Sequence, residues 1–300
     1  MKKPIQLIKG AFNKLFYYCA PAKIYLNKQY KAVFGRNINW KNPTTYNEKL
    51  QWLKVYGKNS THAKLVDKYE VREYIKDKIG EKYLIPLLGV WNRVEDIDFD
   101  KLPNQFVLKC THDSGSVLIC KDKNTFDIAK AKSRLAKRLK MNFYYNCREY
   151  PYKYIKKPRI IAEKYMINDN GSAPLDYKFM CFEGEPRVLF LDIGVCETNN
   201  WGGHAEHYYR NIYDMNFIPI DMKETREHID LDKIQKPSHF EEMKKIAQTL
   251  CQDLHHCRVD LYEINGEIYF GEITFFHGAG YNYFDPIEWD KTLGDWIQIP

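Results

Sequence analysis

Apolar and polar residues alternate with a period of two through several short runs of this 300-residue chain, and recur at helical spacing between them. The period-two runs predict strands. They are FVLKC at 106–110 with VLIC returning, RIIAEKYM at 159–166, LDYKFMCFEGEPRVLFLDIGV at 175–195 around Glu183-Gly184, and a hairpin within 257–280 around Asn265-Gly266. Helical spacing predicts helices over Tyr46 to Tyr56, over 62–79 with Gly80 as a stop, and over Thr125 to Met141. Ser238 with Glu241 three residues on reads as a capping box opening a further helix, and a last one lies around Asp285 to Gln298. Hairpins interleaved with helices predict an α+β fold with mainly antiparallel sheets. No internal repeat or low-complexity tract interrupts the pattern.

The hairpin at 257–280 carries the most chemistry. Arg258 and Asp260 share one face of its first strand, and Glu272 and Thr274 share one face of its second. A two-residue loop at Asn265-Gly266 puts the two pairs on opposite sides of the sheet. A three-residue loop, Ile264 to Gly266 with Gly266 left-handed in a bulge, puts all four on one side, so the charges predict the longer loop. Two carboxylates on adjacent strands form an oxygen-rich site suited to Mg²⁺, which keeps waters and is completed by substrate phosphates. Arg258 beside them would clamp phosphate. The same residues also suit cross-strand ion pairs on a solvated face, and spacing alone leaves both readings open.

Composition narrows the setting. With 44% hydrophobic residues the chain can bury real cores, and its length suggests about two domains. No stretch approaches the roughly 20 apolar residues of a membrane span. The start, MKKPIQLIKGAFNKLFYYCA, imitates a signal peptide, but Lys9, Asn13 and Lys14 interrupt the apolar region and no small-residue cleavage site follows. A cytoplasmic protein is expected. Ile5, Ile8, Phe12, Leu15 and Phe16 opposite Lys2, Lys3, Lys9 and Lys14 form a basic amphipathic helix, suited either to a peripheral contact with an anionic membrane or to docking on its own domain. Eight scattered cysteines are expected as free thiols; Cys251 and Cys257 with His255 and His256 between them have no second ligand pair for zinc. The net charge of +7 suits acidic or phosphate-bearing partners, and no nucleic-acid motif appears.

Lys109 ends a strand before the small-residue turn Ser114-Gly115-Ser116, a loop able to aim N–H groups at phosphates with the lysine as a point charge; an ordinary hairpin turn reads the same way. The chain has neither GxxxxGK[ST] nor GxGxxG. Glu163-Lys164-Tyr165-Met166 leads from an apolar strand into the polar turn NDNGS, as a linker between lobes reading adenine would, or as a plain strand end. Asp176 and Lys178, on one strand face, could meet ribose or phosphate or pair with each other on the surface. His204, His207, Tyr209 and Arg210 crowd a glycine-rich loop and suit a carbohydrate acid through stacking and bidentate contact. Asp96, Asp98 and Asp100 form overlapping DxD patterns, which would serve a glycosyltransferase holding a metal and a sugar nucleotide.

Taken in order, Lys109 with its SGS turn, the EKYM linker, and R-x-D followed by E-x-T on a hairpin resemble the ATP-grasp superfamily. The phrases NPTTYNEKLQWLK, DKYEVREY, FVLKCTHDSGSVLICKD, DYKFMCFEGEPRVLFLDIG and DLYEINGEIYFGEITFF with DPIEWDKTLGDWIQIP resemble the teichuronopeptide-biosynthesis (TupA-like) branch over nearly the whole chain beyond the leader. The resemblance implies two α+β lobes holding ATP: a helical segment over 1–60, an N-terminal part of the core over 61–105, a small lobe over 106–166 and a C-terminal lobe over 167–300. It implies that Lys68 and Lys109 reach the phosphates, that Glu163 to Met166 frame the adenine, and that Asp260 and Glu272 hold Mg²⁺, with Thr274 where an asparagine ligand is usual. The implied reaction is carboxylate activation as an acyl phosphate followed by attack of an amine. Its expected partners are a uronic acid of a bacterial capsule, O-antigen or wall polymer and an amino acid. A glycosyltransferase of the same pathway and a non-catalytic nucleotide-binding scaffold are the alternatives.

Overall fold

The computed structural model describes residues 16–194, 201, 208–230 and 234–299. Two antiparallel sheets organise it. The smaller has the order β1-β4-β2-β3, built from β1 (Leu87–Trp91), β2 (Phe106–Cys110), β3 (Leu118–Cys120) and β4 (Ile160–Lys164). Strand β2 alternates as the sequence does: Phe106, Leu108 and Cys110 are buried in a core with Ala131 and Leu135, while Val107 and Lys109 face the other way. That core is closed by α5 (Ile128–Leu139), whose N-cap Asp127 accepts a hydrogen bond from the Lys130 N–H. Because β1 pairs with β4, the small lobe takes a strand from before residue 106.

The larger sheet has the order β10-β9-β5-β6-β7, from β5 (Leu175–Phe182), β6 (Glu185–Ile193), β7 (Tyr209–Tyr213), β9 (His256–Ile264) and β10 (Glu267–Thr274). One face is apolar and lies under α8 (Phe240–Cys251), which buries Phe240, Met243, Ile246, Ala247 and Leu250 as its pattern predicts. The expected capping box does not form. His239 is the N-cap residue and makes no side-chain cap bond, and Ser238 is directed at His239 and Glu263 instead.

Other elements depart from the pattern in informative ways. The helix expected over 62–79 is two, α3 (His62–Val66) and α4 (Val71–Lys78), because the Asp67 side chain accepts the Tyr69 and Glu70 N–H groups and breaks the first helix there. Helix α2 (Tyr46–Tyr56), begun by Thr45 as N-cap, has the bounds the pattern predicts, and follows α1 (Ala22–Phe34). Its Tyr46, Leu50 and Leu53 belong to the core of the larger lobe, Asn47 bonds Asp290 at 2.8 Å, and Gln51 and Lys54 bond the carbonyls of 279–280. The chain passes between the lobes at the turn after β4, where Asp169 and Asn265 exchange hydrogen bonds at 2.8 and 2.9 Å, and before β1 the Tyr83 hydroxyl donates to Glu242 of α8. Residues 1–15 of the basic leader lie outside the described residues, Phe16 stacks on Tyr25, and no described helix is long and apolar enough to cross a membrane.

Candidate functional site

The hairpin β9–β10 does bring Arg258, Asp260, Glu272 and Thr274 to one face, by a device the sequence reading placed elsewhere. The loop has two residues: Ile264 pairs with Glu267, and Asn265 and Gly266 sit at φ 53° and 81°. Parity is corrected further along, by a bulge between Phe270 and Glu272, so that Glu272 lies opposite Asp260 and Thr274 opposite Arg258. The extra residue is Gly271, whose missing side chain leaves room for the Tyr262 ring and the Asp260 carbonyl; a Cβ would stand 3.0 and 3.1 Å from them.

That face is a buried network of charges. Arg258 donates from Nε and Nη2 to Asp260, both at 2.6 Å, from Nη2 to Glu272 at 2.8 Å and from Nη1 to His277 Nδ1 at 2.8 Å. Burial lowers the His277 pKa, so the ring is neutral and Nδ1 can accept. Thr274 donates to Glu272 at 3.0 Å. Lys178, on the adjacent β5, donates to Asp260 at 2.9 Å and to Asp176. Asp192 on β6 accepts two bonds from Arg210 at 2.6 and 2.8 Å, and Arg210 also donates to Glu224. Asp176 and Lys178 therefore form no surface pair. They are interior members of a ladder spanning the sheet.

Five carboxylates (Asp176, Asp192, Glu224, Asp260, Glu272) face three cations (Lys178, Arg210, Arg258), an excess of two negative charges. The strain of that excess falls unevenly. Arg258 and Lys178 hold Asp260 at about 2 despite its burial, and Arg210 does the same for Glu224. Asp176, with one buried oxygen lacking a partner, is pushed up to about 7 by desolvation and by the neighbouring Asp260 and Asp192. A folded-state pKa above the unfolded value means that the native protein keeps a proton the unfolded chain has released. Stability contributed by Asp176 is thus full below about pH 4 and lost as pH rises towards 7. His62 and His256, whose burial lowers their pKa values, contribute the opposite slope, so the Asp176 contribution is read as a difference: the urea-unfolding free energy of wild type relative to Asp176→Asn should fall by roughly 2–4 kcal/mol across that window; an equal slope in both proteins would refute the assignment.

The groups that the sequence assigns to phosphate and base sit on the smaller sheet and the segment before it. Lys109, on the face of β2 away from α5, donates to Glu163 at 2.8 Å, and Arg72 from α4 reaches the same carboxylate at 3.3 Å. The Glu163 side chain is thus committed to cations rather than free to frame a base, while Lys164, Tyr165 and Met166 continue towards the interlobe turn. Lys68 donates from its ammonium to the Asp113 carbonyl and from its backbone to Thr111. The SGS turn is built, not loose. Ser116 donates to Asp113 at 2.6 Å and accepts from the Cys110 N–H, Arg138 binds Asp113 at 2.6 Å, Gly115 takes φ 81°, and Ser114 and Gly115 are exposed at the tip.

One sequence expectation is corrected, and two alternatives that the sequence offered gather no site among the described residues. Arg210 is on strand β7, 5% exposed, and its guanidinium is saturated by Asp192 and Glu224, so it offers no fork to a substrate carboxylate. Its neighbour Tyr209 is 41% exposed on the edge strand, and His204 and His207 lie outside the described residues. Asp98 pairs with Lys101 and accepts the Asp100 N–H on an exposed connector, where the DxD residues gather nothing further. Cys251 and Cys257 do not combine with the histidines between them: His255 pairs with Glu183 and His256 with Tyr46. The sequence reading missed Asp192, Glu224, His277 and Arg72. Asp192 carried a signal, a lone acid inside the apolar run VLFLDIG.

Among the described residues no three His, Cys, Asp or Glu converge as a metal cage. The donor set that exists is Asp260, Glu272 and the Thr274 hydroxyl, two carboxylates beside one neutral oxygen. That fits Mg²⁺, which takes one or two carboxylates and completes its shell with water and phosphate.

A model of the family described as TupA-like ATPgrasp matches residues 48–298. None of the proteins of curated function matches the chain. Among solved structures, a D-alanine–D-alanine ligase from Bacillus anthracis complexed with ATP is similar at 16% identity over 70% of this chain and 53% of that one, with a TM-score of 0.40. The D-alanine–D-alanine ligase from Helicobacter pylori is similar at 16% identity over 84% and 69%, with a TM-score of 0.44. D-cycloserine synthetase DcsG is similar at 13% identity over 78% and 71%, with a TM-score of 0.41. The chain spans about half the length of the first of these ligases.

Proposed function

Since the chain belongs to the TupA-like ATP-grasp family, we propose that it is an ATP- and Mg²⁺-dependent carboxylate–amine ligase. The amide it makes joins a hexuronic acid of a bacterial surface polysaccharide to an amino acid. The observation that carries this reading is the single face bearing Asp260, Glu272 and Thr274, aligned by the Gly271 bulge and held together by Arg258. Bound there, Mg²⁺ would neutralise phosphate charge as a carboxylate attacks the γ-phosphate. The chain's own groups do the rest. Lys68 and Lys109 present ammonium charges to the phosphates, and the SGS tip offers backbone N–H groups. Arg258 keeps two carboxylates side by side that would otherwise repel each other. No protein nucleophile is needed: the substrate carboxylate forms the acyl phosphate, and the amine displaces phosphate from it.

The test is ADP release that requires both a uronic acid and an amine. Turnover of a sugar nucleotide without ATP would overturn the reading, as would failure of wild type to bind Mg·ATP by calorimetry. Work in the cytoplasm, with a peripheral membrane contact through the basic leader, belongs to the same proposal. Lys109→Met should weaken Mg·ATP roughly tenfold to a hundredfold, the worth of a charge-assisted hydrogen bond. Glu163 keeps Arg72 as a partner, so the melting temperature should barely move. Unchanged affinity in calorimetry would place Lys109 outside the nucleotide site.

A further inference from the structure

Beside the small-lobe lysines lies a cavity of about 620 Å³, within the range of about 300–1,000 Å³ that suits small-molecule ligands. Helix α3 and residues 154–159 line it. On one side His62 stacks its ring on Phe275 with centroids 4.2 Å apart, which ties α3 to the residue after Thr274. On the other, lining residue Asp67 precedes Lys68, and the carbonyl of lining residue Arg159 accepts the Thr111 N–H at 2.9 Å. The helix and the segment that line the cavity thus also touch the strand that would hold the metal and the residues beside Lys68.

Its charge is lopsided. Both acids in the lining are already engaged, Asp67 by the Thr111 hydroxyl at 2.9 Å and Glu70 by Arg159 at 2.7 Å. Lys64, Lys156 and Lys157 are exposed and form no ion pair among the described residues. Arg159 offsets Glu70 and one lysine offsets Asp67, so the lining keeps a net charge of +2, and a positive concavity raises the local concentration of anions. The same lining includes Tyr154, 40% exposed, and the hydroxyls of Ser60 and Thr61. A flat ring, two hydroxyls and cations contributed by two separate segments match a chain of sugars bearing one carboxylate each better than they match one compact phosphate.

Resting on the ligase reading above, we propose that this cavity binds the acidic glycan that carries the reacting uronic acid. The acceptor is then an oligomer of carboxylate-bearing sugars, with Lys64, Lys156 and Lys157 holding units other than the one activated.

The test is calorimetry on the full chain with trigalacturonic acid, with maltotriose as the neutral control and inorganic pyrophosphate as a competitor. Wild type should bind trigalacturonate with an affinity that falls as salt rises. The K156Q/K157Q double variant and K64Q should each weaken it, the double variant at least about tenfold, with Mg·ATP affinity unchanged. The proposal is overturned if wild type shows no saturable binding, if the variants bind equally well, if maltotriose binds as tightly, or if pyrophosphate or Mg·ATP displaces the glycan. Lysine-dependent binding with no ATP turnover on any acceptor would sink the ligase reading and leave the cavity assignment standing; turnover indifferent to these lysines would do the reverse.

Discussion

Glu272→Gln is expected to lower ATP turnover by at least about a hundredfold while shifting the melting temperature by no more than about 2 °C. The side chain of Glu272 is 44% exposed, and its contacts with Arg258 and Thr274 can be kept by an amide oxygen. What glutamine removes is the charge available to a metal. Asp260→Asn must behave differently. Asp260 is 2% exposed and accepts from Arg258 twice and from Lys178 once, so asparagine there turns an amide N–H donor towards buried cations and breaks charge-assisted bonds that nothing else on that spot replaces. Breaking a buried pair from one side costs about 3–5 kcal/mol. Both variants should lose activity, but only Asp260→Asn should lose stability, as read by ADP release beside scanning calorimetry. If Glu272→Gln turns over like wild type, the metal assignment falls.

Deleting Gly271 should abolish Mg·ATP binding and destabilise the fold by more than about 4 kcal/mol. Without the extra residue the β9–β10 ladder runs on in simple alternation from its two-residue turn, and a one-residue slip exchanges the faces of every position after it. Glu272 and Thr274 would then point under α8, and Ile273, 3% exposed, would enter the charged face. Gly271→Ala is the graded comparison: its Cβ crowds the Tyr262 ring and the Asp260 carbonyl but keeps the residue count and therefore the facing. It should weaken stability modestly and retain Mg·ATP affinity. A deletion variant that binds Mg·ATP normally would show that the shared face of Asp260 and Glu272 is not what binds it.

The placement of Gly271 shows where the sequence stops being legible. The carboxylates could be read as a pair because alternation is local, and the need for one extra residue followed from their parity. Where that residue sits depends on what it must pass: Asn265-Gly266 already forms a complete tight turn, whereas Gly271 alone lets the strand bulge against Tyr262. The Asp176–Lys178 pair was visible too. Its burial was not, since Asp260 and Asp192, which surround it, arrive from strands far along the chain.

The sequence by itself determined most strands and helices of both lobes, though not β1 or β7, together with the family and a short set of charged residues. Periodicity, turn chemistry and family phrases are properties of neighbours along the chain. Only the tertiary structure decided that Arg210 is spent on Asp192 and Glu224, that His277 closes the network on Arg258, and that α2 belongs to the larger core. Each of those outcomes is a balance of buried charge or packing between segments distant in sequence. Such a balance exists only once the sheets have assembled.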